Sequence, residues 1–192
     1  MHKRNVRGMT LIELMITISL LAIVIAIGLP SFTGAINGSR LSSAANELSS
    51  ALQVARAEAV RRNRSVVLCR SDDQLTCSTG AQWIGWLVFV DLDANGAVDP
   101  GEDIIKSGRI EGPLVMRASA GISGRSHMVA YLPNGLARGA SEAALLSAAL
   151  SVCAPSTQPP ENVRDVLIAF GGRTMVRSRG TAGDCSSAPN DN

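Results

Sequence analysis

Met9 to Leu29 form one unbroken apolar run whose only charge is Glu13. Lys3, Arg4 and Arg7 stand ahead of it. As a helix rising about 1.5 Å per residue, these 21 residues span roughly 30 Å, the thickness of a bilayer core. No clear small-x-small cleavage site follows the run, so the alternative processing point is before it, at Gly8. The basic leader predicts a cytoplasmic start and sends everything after Pro30 to the outer face. A carboxylate at the centre of such a helix costs about 2.5–3.5 kcal/mol on insertion scales, and less near its end. Glu13 therefore needs a cation, and the amine of Met9 freed by cleavage after Gly8 in a neighbouring copy is chemically suited to it.

Past the run, Gly28, Pro30, Gly34 and Gly38 weaken helices, and a bend or locally melted stretch is expected there. Leu41, Ala44, Ala45, Leu48, Ala51, Leu52, Ala55 and Ala59 then recur at spacings of three and four. That period predicts an amphipathic helix whose narrow apolar stripe admits a sheet at close range. The two halves make a nearly continuous helix from Met9 to about Arg62. After Arg64 the period shortens to β-rich runs: "SVVLC", "WLVFVD", "DIIK", "LVMRA", "HMVAYL", "LLSAALSVC" and "RDVLIAF", separated by turn residues. An antiparallel β domain is expected.

The segment "RGMTLIELMITISLLAIVIAIGLP" resembles the class III signal of type IV pilins and pseudopilins. The resemblance implies cleavage by a prepilin peptidase between Gly8 and Met9, N-methylation of Met9, and a subunit-docking role for Glu13 at the fifth mature position. "LQVARAEAVRRNRSVVLC", "WIGWLVFVDLDANGAVDPGEDIIK" and "YLPNG" are similar to the GspH/FimT family. The fold class implied is α+β and pilin-like: a long N-terminal helix, membrane-spanning in its first half, packed on a C-terminal antiparallel sheet domain. The expected divisions are 1–8 leader, 9–30 transmembrane or filament-core helix, 31–64 amphipathic second half, and 65–192 periplasmic β-rich domain with a C-terminal tail. The function implied is a minor type IV pilin that initiates or caps the pilus, with a minor pseudopilin of a type II secretion system as the alternative. Its partners would be other major and minor pilins, prepilin peptidase and, before assembly, the bacterial inner membrane. Its final location would be the pilus tip at the cell surface.

Composition refines this picture. Hydrophobic residues make up 46% and aromatics 3%, which suits a membrane segment plus a modest core. The chain carries +2, but removing the leader leaves 15 basic against 16 acidic residues, so nucleic-acid contact must come from a local patch. "RTMVRSR" supplies one, because a strand there would project Arg173, Arg177 and Arg179 to one face. Gly172 and Arg173 resemble the start of the GRxR motif of DNA-binding pilins in the family, although the fourth position is Met175. DNA is thereby a candidate partner during uptake. Cys69, Cys77, Cys153 and Cys185 allow three connectivities, with nearest-neighbour pairing expected.

Asp91, Asp93, Asn95, Gly96, Asp99 and Glu102 match the calcium-loop spelling D-x-[DN]-x-[DN]-G-x₅-E, with Asp99 at the ninth position. The flanking runs read as strands rather than EF-hand helices, so a plain hairpin turn is the competing reading. The cofactor expectation is none, with Ca²⁺ the single candidate. Trp83 and Trp86 read as core residues. The mature chain has one histidine, His127, and it lacks zinc-type CxxC spacing, a GxSxG elbow and a phosphate-binding glycine loop. Enzymatic function is not expected.

Overall fold

The computed structural model describes residues 9–138, 145–169 and 171–190, with the side chains at 27–31 outside that set. Gly8, the expected cleavage position, and Phe170, the last residue of an expected strand, lie outside the described residues. Helix α1 runs from Leu11 to Arg62, 52 residues, and starts where the Thr10 hydroxyl accepts the Glu13 N–H at 3.3 Å. It ends at Asn63, whose left-handed backbone (φ 53°) returns its N–H to the Ala59 carbonyl.

The locally melted stretch expected around Pro30 does not occur, because helix continues through Gly28, Pro30, Gly34 and Gly38. Gly34 and Gly38, one turn apart, instead make room for the loop that carries Gln158 and Pro159. A Cβ on Gly34 would sit 3.6 Å from the Gln158 side chain, and one on Gly38 would sit 3.9 Å from Pro159. Asn37 Nδ2 donates to the Gln158 carbonyl at 3.0 Å. These glycines serve close approach rather than a break.

The remaining elements are β1 (Ser65–Arg70), β2 (Gly85–Asp91), β3 (Ile104–Arg109), β4 (Val115–Ala118), α2 (Ala120–Ser123), β5 (Met128–Tyr131), β6 (Ala148–Cys153), β7 (Val163–Ala169) and β8 (Arg173–Arg179). They form two antiparallel four-stranded sheets in the orders β3-β2-β1-β5 and β4-β6-β7-β8. A bridge between Trp83 and Met116 links the two. Strand parity sorts the side chains. Val66 and Leu68 of β1, Trp86, Val88 and Val90 of β2, Leu150 and Val152 of β6, and Val166 and Ile168 of β7 join the α1 stripe in one core. Of the expected stripe residues all are fully buried except Ala44, which is half-buried against the core. On the other face of the first sheet, Val67, Cys69, Leu87 and Phe89 form a second cluster under Cys77, Val98 and Met128.

The starts of β5 and β6 differ from expectation. β6 begins at Ala148 rather than Leu145, β5 begins at Met128, and His127 before it has a left-handed backbone (φ 61°). His127 therefore does not continue the face of Val129 and Tyr131. Its imidazole pKa is lowered by burial and by the nearby Arg70.

Gly108 faces the Trp86 ring, and an added Cβ would approach Cζ2 to 2.5 Å. Gly108→Ala is expected to destabilise the fold by about 1–3 kcal/mol through overpacking. Equilibrium unfolding checks this against Gly101→Ala, where nothing lies within 4 Å and only the left-handed backbone is strained.

Candidate functional site

The first surface is the free half of α1. All described side chains from Met9 to Ala26 are exposed, including Leu11, Ile12, Leu14, Met15, Ile16, Leu20 and Leu21. Among the described residues no helix is long and apolar enough to cross a membrane, the described apolar part of α1 being Leu11 to Ala26. Glu13 lies in the first turn, where the helix dipole favours an anion, and has no ion pair among the described residues. Met9, the expected first mature residue, is exposed.

The second surface is the β2–β3 loop. Carboxylate oxygens of Asp91, Asp93 and Glu102 lie within 4.8 Å of one another. Backbone groups already engage them. Asp91 accepts the N–H groups of Asn95 at 3.2 Å and Gly96 at 3.1 Å, and Glu102 accepts those of Leu92 at 2.7 Å and Asp99 at 3.0 Å. Asn95 Nδ2 bridges Asp93 and Asp99. Burial, helped by repulsion from Glu102, raises the Asp91 pKa. The loop is thus an acidic hairpin turn shaped by its own hydrogen bonds, joining two strands.

The third surface is β8. Arg173 and Arg177 are exposed and make no ion pair among the described residues. Arg179 is withdrawn from the row, because its Nε donates to Asp165 Oδ2 at 2.6 Å. Asp165 is buried on the neighbouring strand directly opposite Arg177. Gly172 is buried at φ 76°, where a Cβ would come within 2.9 Å of the Tyr131 ring, so close packing requires a glycine there.

Reading along the chain missed Asp165, since only strand pairing brings it to the arginines; its alternation with Val163 and Leu167 was the available signal. It also missed a clamp at the end of α1. Glu58 accepts from Arg61 and Arg62, and Arg62 Nη1 reaches Asp103 at 2.7 Å. The Glu58/Arg62 spacing of four residues was a visible cue.

Cys69 is bonded to Cys77 and Cys153 to Cys185. The Cys69–Cys77 loop is gathered by buried Arg70, which donates to the carbonyls of Gln82 and Thr79, to Ser78 and to Asp72. Trp83 and Trp86 are core residues, each 1% exposed.

The described residues thus form a β head carrying a long helix whose side chains from Met9 to Ala26 are exposed. The family described as Type II transport protein GspH matches residues 44–172, and the chain belongs to it. The prokaryotic N-terminal methylation motif matches residues 3–29, the mark of a membrane-anchored pilin. Members of such families are structural subunits that assemble with other pilins. The pilin-like protein PilA1 of Thermus thermophilus is 37% identical over 97 residues, covering 50% of this chain and 56% of that protein. The match thus spans about half the length of that curated relative. The type IV minor pilin FimU of Pseudomonas aeruginosa aligns with TM-score 0.49 and 19% identity, over 79% of this chain and 98% of that one. The minor pseudopilin EpsH of the Vibrio cholerae type 2 secretion system aligns with TM-score 0.49 and 12% identity, over 73% and 97%.

Two measurements check these sites. Hydrogen bonds from Arg61 and then Arg62 lower the Glu58 pKa to about 2, below its ordinary 4.5. This interaction stabilises the fold above the ordinary value and is lost as pH falls toward the folded one. The melting temperature should drop between those two values, and Glu58→Gln should flatten part of that drop. With Arg179 engaged, a duplex laid along β8 would meet Arg173 and Arg177, the two arginines of that row without an ion pair among the described residues. The slope of log K against log salt is expected near −1.8, against roughly −2.7 for three contacts. Titration at two salt concentrations distinguishes them.

Proposed function

We propose that this chain is a minor type IV pilin, a structural subunit that initiates or caps the pilus and has no enzymatic role. It sits in the bacterial inner membrane by a single pass with its β domain in the periplasm, and moves to the pilus tip on assembly. The observation that carries this reading is the free half of α1: an apolar helix exposed from Met9 to Ala26, with one carboxylate in its first turn and no ion pair to it among the described residues. Lipid before assembly, and neighbouring helices after it, supply the apolar surroundings that water does not. The amine of a processed neighbour supplies the cation for Glu13. Membership of the GspH family and the methylation motif support the reading. The 37% identity over 97 residues to a pilin-like protein is in keeping with either filament.

Glu13→Ala is expected to leave leader removal intact while reducing incorporation into filaments, read by immunoblot of sheared pili. Gly8→Leu should leave the precursor at full mass. Deletion of the gene should abolish or reduce piliation with secreted enzymes unchanged. Loss of secretion with normal piliation would instead assign the chain to a secretion filament.

A further inference from the structure

β8 is an edge strand, and among the described residues nothing pairs with its outer side. Such an edge presents a row of unpaired backbone N–H and C=O groups. Parity places Arg173, Met175, Arg177 and Arg179 on one face and Thr174, Val176 and Ser178 on the other, where the Thr174 hydroxyl meets Ser49 and Gln53 of α1. Met175 and Val176 are 51% and 43% exposed, so apolar surface is open on both faces of the edge. Beside its start lies a groove of about 550 Å³ lined by Gln53, Ala57 and Val60 of α1 with Gly172 and Thr174, and also by Arg56 and Arg61.

We propose that the β8 edge accepts an extended acidic segment of another protein as an added strand. Its alternate carboxylates face Arg173 and Arg177, and its intervening apolar side chains lie beside Val176 and over the groove. Backbone pairing supplies affinity in this mode, and alternate side chains supply selectivity. Charge decides the occupant. Two copies pairing β8 antiparallel about Val176 would set Arg173 against Arg179, and like charges directly opposite destabilise a ladder. An acidic strand meets no such repulsion. DNA matches the edge less well, because a phosphodiester backbone has no N–H to give the outward carbonyls and Arg179 is already held by Asp165. The proposal does not depend on which filament the chain serves, and failure of the piliation test leaves it standing.

The test uses the full chain in non-ionic detergent micelles and a fluorescein-labelled peptide alternating Glu and Val. The controls are its block isomer of equal charge, the same peptide N-methylated at alternate residues, and a labelled DNA duplex. The alternating peptide is expected to bind about tenfold tighter than either peptide control, as loss of one or two backbone hydrogen bonds implies. It should slow hydrogen exchange in β8. Arg173→Ala with Arg177→Ala should weaken binding severalfold with the circular dichroism spectrum unchanged. Equal binding of the block isomer would overturn the proposal by reducing the contact to charge alone. Absence of peptide binding, or displacement of the peptide by duplex at lower concentration, would overturn it as well.

Discussion

The fold depends on one contact, the alanine-rich stripe of α1 lying against the inward residues of both sheets. Ala45, Ala51, Ala55 and Ala59 contribute little apolar area themselves, but their size brings the helix backbone close enough for both sheets to share one core. Leu41, Leu48 and Leu52 then fill the layer, each worth about 1.5–3 kcal/mol when fully buried. The stripe starts at Leu41 and exposed apolar residues reach as far as Ile36, so one helix serves two surroundings in sequence. A larger residue at Ala51 or Ala55 would part the layers rather than weaken a single contact.

Charge is used to join elements that the core alone leaves loose. Buried Arg70 has its guanidinium shared among the Cys69–Cys77 loop and Gln82, which satisfies a cation that burial would otherwise make costly. Asp73 within that loop is held well below the usual carboxylate range by the N–H groups of Leu75 and Thr76. Arg62 ties the helix end to the base of the β2–β3 hairpin through Asp103. The C-terminal tail is fixed by Cys153–Cys185, by Arg117 Nε donating to the Cys185 carbonyl, and by Asn162 bonding Thr181.

The elements carried by local pattern were legible. The three-and-four spacing from Leu41 to Ala59 and the apolar β runs correspond to α1 and to β1 through β7, with β5 and β6 shortened at their starts. What the chain did not reveal depends on partners distant in sequence. Gly34 and Gly38 read as helix weaknesses because Gln158 and Pro159, which justify them, lie far downstream. Arg179 counted as a free cation because Asp165 reaches it only through the β7–β8 register. The calcium-loop spelling was legible as a cluster of acids, yet backbone N–H groups inside the turn give those acids a folding role that spacing alone does not encode.

The seat of Gln158 and Pro159 against Gly34 and Gly38 has a mechanical consequence. Tension along a filament subunit arrives through the free half of α1, and the first part of the β head it meets is this loop, through the Asn37–Gln158 hydrogen bond. The loop acts as a collar at the neck of the subunit. It shares the pull with the sheet before the load reaches the alanine stripe, and it resists sideways swing of the helix where the lever arm is longest.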